Sequence, residues 1–198
     1  MKTAARMITV LAVVGLFAGG TLAFIYRWAK PQIEAHEREL LRQAIFSVLP
    51  ETKSYEFSEK DGVGIYRCED DSGILVGYAF VAEGGGYQDK IKMMVGLRPD
   101  FKTLGGIEIL YSRETPGLGG KIDSEDILQP AGKTFREQFR ELEVLPPIEY
   151  VKGKKPTSPN QIQAITGATI SSRSVVQIIN ETVAKVTGIL KEEGKKEK

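Results

Sequence analysis

Three textures of apolar and polar residues follow one another along the chain. In the first, residues 7–26 carry no charge and are mostly Val, Leu, Ala, Gly, Ile and Phe. That length approaches the roughly 20 residues a helix needs to cross a bilayer. The run ends in Tyr26, Arg27 and Trp28, a cluster of the kind that sits at a membrane interface. It reads as a transmembrane helix. The rival reading is a cleaved signal peptide, because Lys2 and Arg6 form a positive n-region and Thr21-Leu22-Ala23 offers a small-residue cleavage site.

A helical texture follows. Pro31 stands where a new helix can begin, and Ile33, Glu37, Leu40, Leu41, Ala44, Ile45 and Val48 recur at three and four until Pro50 stops the pattern. This linker helix is expected to lift the rest of the chain off the membrane. From residue 63 onward the pattern shortens to β-rich runs at 63–68, 74–82, 90–97 and 104–111, which predict one antiparallel sheet. Asp70-Asp71-Ser72-Gly73 reads as the turn between the first pair.

Helical expectations return afterwards, with a short piece at 124–131 and an amphipathic helix marked by Phe135, Phe139 and Leu142 to cover the sheet. Residues 148–151 and 161–165 are expected as two strands bracketing a Lys- and Pro-rich turn. Val175, Val176, Ile179, Val183, Val186 and Leu190 then form an apolar stripe of helical period, predicting a long helix that starts near Ser171 or Ser172. Residues 191–198 have no apolar period and are expected to fray. The predicted class is α+β, a single transmembrane helix followed by an antiparallel sheet covered by helices. Its divisions are an anchor over 1–30, a linker helix over 31–50, one domain over 51–192 and a charged tail over 193–198.

Composition narrows the function. Of 198 residues 41% are hydrophobic, which suits an anchor plus one domain with its own core. Lys and Arg number 27 against 26 Asp and Glu, so no basic excess recruits nucleic acid, and none is expected as a partner. The single cysteine, Cys68, excludes an intrachain disulfide and a cysteine metal cluster, and no metal site is expected. His36, the only histidine, lies among Glu34, Glu37 and Arg38, the setting of a solvated side chain. No Ser/His/Asp order, cysteine nucleophile with a histidine, H-E-x-x-H or Walker loop is present, so no catalytic residues are assigned.

Three segments carry candidate chemistry. Thr166-Gly167-Ala168-Thr169-Ile170-Ser171-Ser172 closes a polar loop and opens the last helix. The first N–H groups of a helix lack intrahelical partners and lie at its positive end, so a phosphate on Thr169 would be stabilised there, with Gly167 and Ala168 leaving room. On physics alone, Thr169 or Ser171 as an ordinary N-cap is the simpler reading. Ser112-Arg113-Glu114-Thr115-Pro116-Gly117-Leu118-Gly119-Gly120 should contain a tight turn whose glycines expose backbone N–H groups, the plain alternative being a connecting turn with Glu114 solvated. Gly84-Gly85-Gly86-Tyr87 lets the backbone approach something closely, or else forms a flexible loop tip.

The order of two of these segments supplies a resemblance. T-G-A-T-I-S at 166–171 resembles the [ST]-G-A-T-x-[ST] signature of FMN-binding domains, and E-T-P-G-L-G at 114–119 is similar to a second signature of that family. The family includes the G subunit of the Rnf electron-transport complex and the C subunit of the sodium-pumping NADH:quinone oxidoreductase. The resemblance implies FMN esterified through its phosphate to Thr169, with Thr166, Gly167, Ala168, Ser171, Ser172, Glu114, Thr115, Gly117, Leu118, Gly119 and Tyr87 around the cofactor. It departs from the family at Gln163, where an acidic residue is usual.

As an Rnf-type G subunit the chain would relay electrons within an ion-translocating oxidoreductase complex, without an active site of its own. The alternative is a membrane-anchored domain that holds FMN non-covalently for another redox system. The resemblance further implies other membrane and peripheral subunits as partners, a flavin transferase during maturation, and a flavin domain on the extracytoplasmic side of the cell membrane. Counting positive charge does not give that orientation, because Arg27, Lys30, Arg38 and Arg42 follow the apolar run that Lys2 and Arg6 precede.

Overall fold

The computed structural model of the chain describes residues 2–124, 128 and 132–196, with side chains as far as residue 192. They form two compact units, 1–40 and 41–198. The first is the greater part of helix α1 (Lys2–Val48), and its side chains are almost all exposed. The helix is long and apolar enough to cross a membrane. The second helix expected to begin at Pro31 does not exist as a separate element, because α1 runs through Pro31 unbroken. Proline removes one N–H bond and crowds the preceding turn. Ala29, Lys30, Gln32, Glu34 and Ala35 are good helix formers on either side and carry the helix past it.

The second unit is built on a five-stranded antiparallel meander. Its strands are β1 (Ser54–Lys60), β2 (Val63–Glu69), β3 (Leu75–Gly85), β4 (Lys90–Leu97) and β5 (Leu104–Ser112), lying side by side in chain order. The four expected strands are β2 to β5. β1 was not expected; its burial pattern is almost wholly exposed, so no alternation of buried and wet residues marks it. The Asp70 turn is present: the carboxylate accepts from the N–H groups of Ser72 (2.8 Å) and Ile74 (2.9 Å), and Gly73 takes φ +74.

The sheet has two apolar faces. On one, Ile65, Phe80, Ala82, Met93, Val95 and Ile107 pack under helix α2 (Thr169–Lys196), which contributes Val175, Ile179, Val183 and Val186. On the other, Cys68, Ala79 and Met94 meet Ala44, Ile45, Val48 and Leu49 from the end of α1. A β-carbon on Gly96 would lie 3.1 Å from Leu49 Cγ, and one on Gly105 would lie 2.6 Å from Leu49 Cδ2. Glycine at these positions lets the helix end rest on the strand backbone.

The remaining elements depart from expectation in detail. The amphipathic helix at Phe135–Leu142 is only a 3-10 turn, Arg136–Phe139, followed by Glu141 in the left-handed region (φ 54). Phe135 and Phe139 are nonetheless fully buried and stack edge to face at 5.3 Å. The helical piece expected at 124–131 falls largely outside the described residues. The two late strands are β6 (Glu149–Val151) and β7 (Gln161–Gln163), and they pair in parallel. Helix α2 begins at Thr169 rather than at Ser171 or Ser172. It also continues through Lys196 where fraying was expected, since Lys and Glu favour a helix even without an apolar face.

Candidate functional site

The three glycine-bearing segments meet at the N-terminal end of α2. Thr115-Pro116-Gly117-Leu118 is a β-turn: Leu118 N–H donates to Thr115 O at 3.1 Å, Pro116 takes the second position and Gly117 the third with φ +76. Ile165-Thr166-Gly167-Ala168 repeats that form, with Ala168 N–H donating to Ile165 O at 3.0 Å and Gly167 at φ +85. Both are type II turns, which need a positive φ at the third residue and so favour glycine there. The second turn delivers the chain into α2, whose first residue is Thr169 and whose first backbone bond runs from Ser172 N–H to Ala168 O at 3.0 Å.

Thr169 is therefore half-exposed on the opening turn of a 28-residue helix, where the N–H groups of the first residues have no intrahelical acceptor. Its hydroxyl makes no hydrogen bond among the described residues. Thr166 and Gly167 are exposed beside it and Ala168 is buried. The two serines differ from it. Ser172 Oγ is fully buried, accepts from Ile165 N–H and donates to Ala168 O, both at 3.0 Å. Ser171, expected as a cap of the backbone, instead donates its hydroxyl to Glu114 Oε2 at 2.5 Å.

Glu114 joins all three segments. Only 6% exposed, it is not the solvated residue of the plain reading. Its Oε1 accepts from the N–H groups of Tyr87 (2.8 Å) and Gln88 (3.0 Å), while Oε2 takes the Ser171 hydroxyl. The glycines around it are small for a reason. A β-carbon on Gly119 would lie 2.5 Å from Glu114 Oε2 and 2.6 Å from Ser171 Oγ, and one on Gly86 would collide with Glu114 Oε1. Gly84 and Gly85 belong to β3 rather than to a loop tip, and a β-carbon on Gly84 would meet Ile178 of α2 at 2.5 Å.

Three apolar side chains of these segments are exposed. Tyr87 is 65% exposed, Leu118 49% and Ile170 56%, one from each segment. Thr115 Oγ1 donates to Gln88 Oε1 at 2.9 Å, tying the turn to its neighbour. Nearby, Asp89 accepts from Lys90 N–H and from the Tyr111 hydroxyl, and these contacts hold its carboxyl below the usual carboxylate range.

The strand leading into the second turn is held by one side chain. Gln138 accepts from Gln163 N–H at 2.7 Å and donates to Gln163 O at 3.2 Å, closing a buried amide-to-backbone ring. Neither this ring nor the roles of Gln88 and Ser171 has a local sequence signal, since the partners lie 25, 27 and 57 residues apart. Every residue assigned to the site from the sequence lies in these three segments. Glu114 and Ser172 are turned inward, whereas Thr169, Thr166, Gly117, Leu118 and Tyr87 are accessible.

Residues 86–184, which include Tyr87, the turn at Thr115–Leu118 and the helix start at Thr169, match the FMN-binding domain family. The chain is 30% identical over 194 residues to the G subunit of the ion-translocating oxidoreductase complex of Methanosarcina acetivorans, an alignment covering 94% of this chain and 96% of that one. It is 28% identical over 177 residues to the G subunit of the proton-translocating ferredoxin:NAD(+) oxidoreductase complex of Clostridium ljungdahlii, covering 89% and 88%. The chain belongs to the family of Rnf-type G subunits of ion-translocating oxidoreductase complexes. In fold it is similar to the crystal structure of Shewanella oneidensis NqrC, with a TM-score of 0.53 and 23% identity over 66% of this chain and 63% of that one.

Proposed function

We propose that this chain is the electron-relay component of an Rnf-type ion-translocating oxidoreductase complex, carrying FMN in a phosphoester bond to Thr169. The observation that supports it most directly is the contrast among three hydroxyls. Thr169 is accessible and without a hydrogen-bond partner among the described residues, whereas Ser171 and Ser172 are buried and engaged. The chain's residues fit the group: the helix start offers N–H donors to a phosphate, and Leu118, Tyr87 and Ile170 present an apolar surface to a flat ring. Thr115, Gly117 and Leu118 stand at that surface with Tyr87, while Gly119 is buried against Glu114.

FMN, when bound, supplies one- and two-electron transfer; the protein places it and excludes water from one side. A threonine hydroxyl is a weak nucleophile, and among the described residues no side-chain base is hydrogen-bonded to Thr169. A separate flavin transferase therefore makes the bond, joining Thr169 Oγ1 to the FMN phosphate as the pyrophosphate of FAD is broken and AMP and the hydroxyl proton leave. The apolar part of α1 anchors the chain in the cell membrane as a single span, with the flavin domain on the extracytoplasmic side and the other subunits of the complex as neighbours.

The test is intact mass spectrometry of the full chain co-expressed with its flavin transferase. An FMN adduct is expected in the wild type and in Ser171→Ala, and none in Thr169→Ala. An adduct that persists in Thr169→Ala, or that maps by peptide fragmentation to Ser171 or Ser172, would refute the assignment. Flavin that dissociates on denaturation would instead support non-covalent binding.

A further inference from the structure

Three donors converge on Glu114, the main-chain N–H groups of Tyr87 and Gln88 and the hydroxyl of Ser171. A group that only accepts is bonded as an ionised carboxylate is. It is buried, and among the described residues no lysine or arginine forms an ion pair with it. Keeping a buried charge on neutral donors alone is unfavourable compared with keeping a neutral group of the same shape. A glutamine would serve the geometry equally well: its carbonyl oxygen can accept from Tyr87 and Gln88, and its amide can donate to Ser171 Oγ. The clamp does not need the negative charge.

What the charge does follows from where it lies. Leu118 and Tyr87, two of the exposed apolar residues of the site, come from the two segments that Glu114 ties together, so the buried carboxylate belongs to the same segment as Leu118 and is bonded to the Tyr87 backbone. On the reading proposed above, the flavin ring covers those two side chains. We infer that Glu114 is a positioning residue that also sets the flavin's reduction potential, its unpaired carboxylate holding the midpoint below the value a neutral residue would give. Two-electron reduction at neutral pH adds one proton and leaves a negative charge on the ring. A fixed negative charge across a poorly solvated gap disfavours that product.

The experiment is a redox titration of the full-length, flavin-loaded chain as wild type, Glu114→Gln and Ser171→Ala, with loading measured by intact mass. Glu114→Gln is expected to shift the midpoint to a more positive potential. Ser171→Ala keeps the carboxylate but removes the hydroxyl that screens it, and is expected to shift the midpoint the other way. A merely structural role would not give shifts of opposite sign.

A loaded Glu114→Gln chain at the wild-type midpoint or below it overturns the inference. Should Glu114→Gln fail to load, Ser171→Ala decides, and an unchanged or more positive midpoint there overturns it equally. A wild-type chain that takes up no flavin at all is a different failure, that of the reading on which this inference rests.

Discussion

Leu118 and Gly167 face each other across the site, with Leu118 Cδ2 only 3.4 Å from the place where Gly167 would carry a β-carbon. They belong to two type II turns separated by some fifty residues of chain, and the second of them leads directly into Thr169. Gly167→Ala therefore has two effects. Alanine at φ +85 costs about 1–2 kcal/mol, and its methyl group fills the space beside Leu118 at van der Waals distance. The expected result is a lower urea midpoint together with less bound flavin; a variant with wild-type stability and loading would show that the turn tolerates a side chain.

Gly119 and Gly117 make a matched pair. A β-carbon on Gly119 would displace Ser171 from Glu114, whereas one on Gly117 has nothing within 4 Å. Gly119→Ala should cost about 1–3 kcal/mol as an overpacked site and should reduce the flavin-to-protein absorbance ratio. Gly117→Ala should disturb folding only through its left-handed backbone, while a bulkier residue there should lower flavin content by standing on the proposed ring surface. Equal loading in Gly119→Ala and the wild type would contradict the clamp.

Gln138 offers a test away from the cofactor. Its amide satisfies both the N–H and the C=O of Gln163, which is 1% exposed. Truncation to alanine removes the hydrogen bonds that the amide makes to two buried backbone groups, a loss of about 2–3 kcal/mol. Equilibrium denaturation of Gln138→Ala should show that loss, and hydrogen exchange should rise first over β7 and the turn at 165–168. A loss below half a kcal/mol would mean that water replaces the amide.

Burial pushes the Cys68 thiol up to about 11, since the thiolate is disfavoured between the sheet and the end of α1. The sign of the linkage follows: the folded chain holds this proton more tightly than the unfolded chain. Stability from this group is thus complete below the unfolded value near 9 and is lost as pH rises from there towards about 11. Cys68 should resist alkylation at pH 8 in the native protein and react at once in denaturant. Rapid native labelling at that pH would contradict the burial.

The sequence made the sheet legible where one face is wet and one is dry, as in β2, and where turn chemistry is explicit, as at Asp70. β1 carries no such signal, because Tyr55 and Phe57 are both exposed on an edge strand and leave no inward period. The start of α2 lies before the serines that read as its caps: Ser171 and Ser172 are inside the helix and bond to Glu114 and to the preceding turn. In the site, the motifs mark segments that the structure brings together. They could not show that Glu114 is the joint between them, since that depends on residues 27 and 57 positions away.

The three glycines beneath the end of α1 carry a mechanical consequence. Gly77, Gly96 and Gly105 lie on β3, β4 and β5, and all three lack the side chain that would hold Leu49 away from the strands. Leu49 is thus seated like a rivet over the middle and far strands of the meander, flanked by the fully buried Val48. Tension along α1 would enter the sheet at that seat, across several strands at once, instead of peeling β1 from its edge. Seated in this way, the few residues from Leu41 to Leu49 spread any pull from the preceding chain over three strands, which keeps the sheet from unzipping strand by strand.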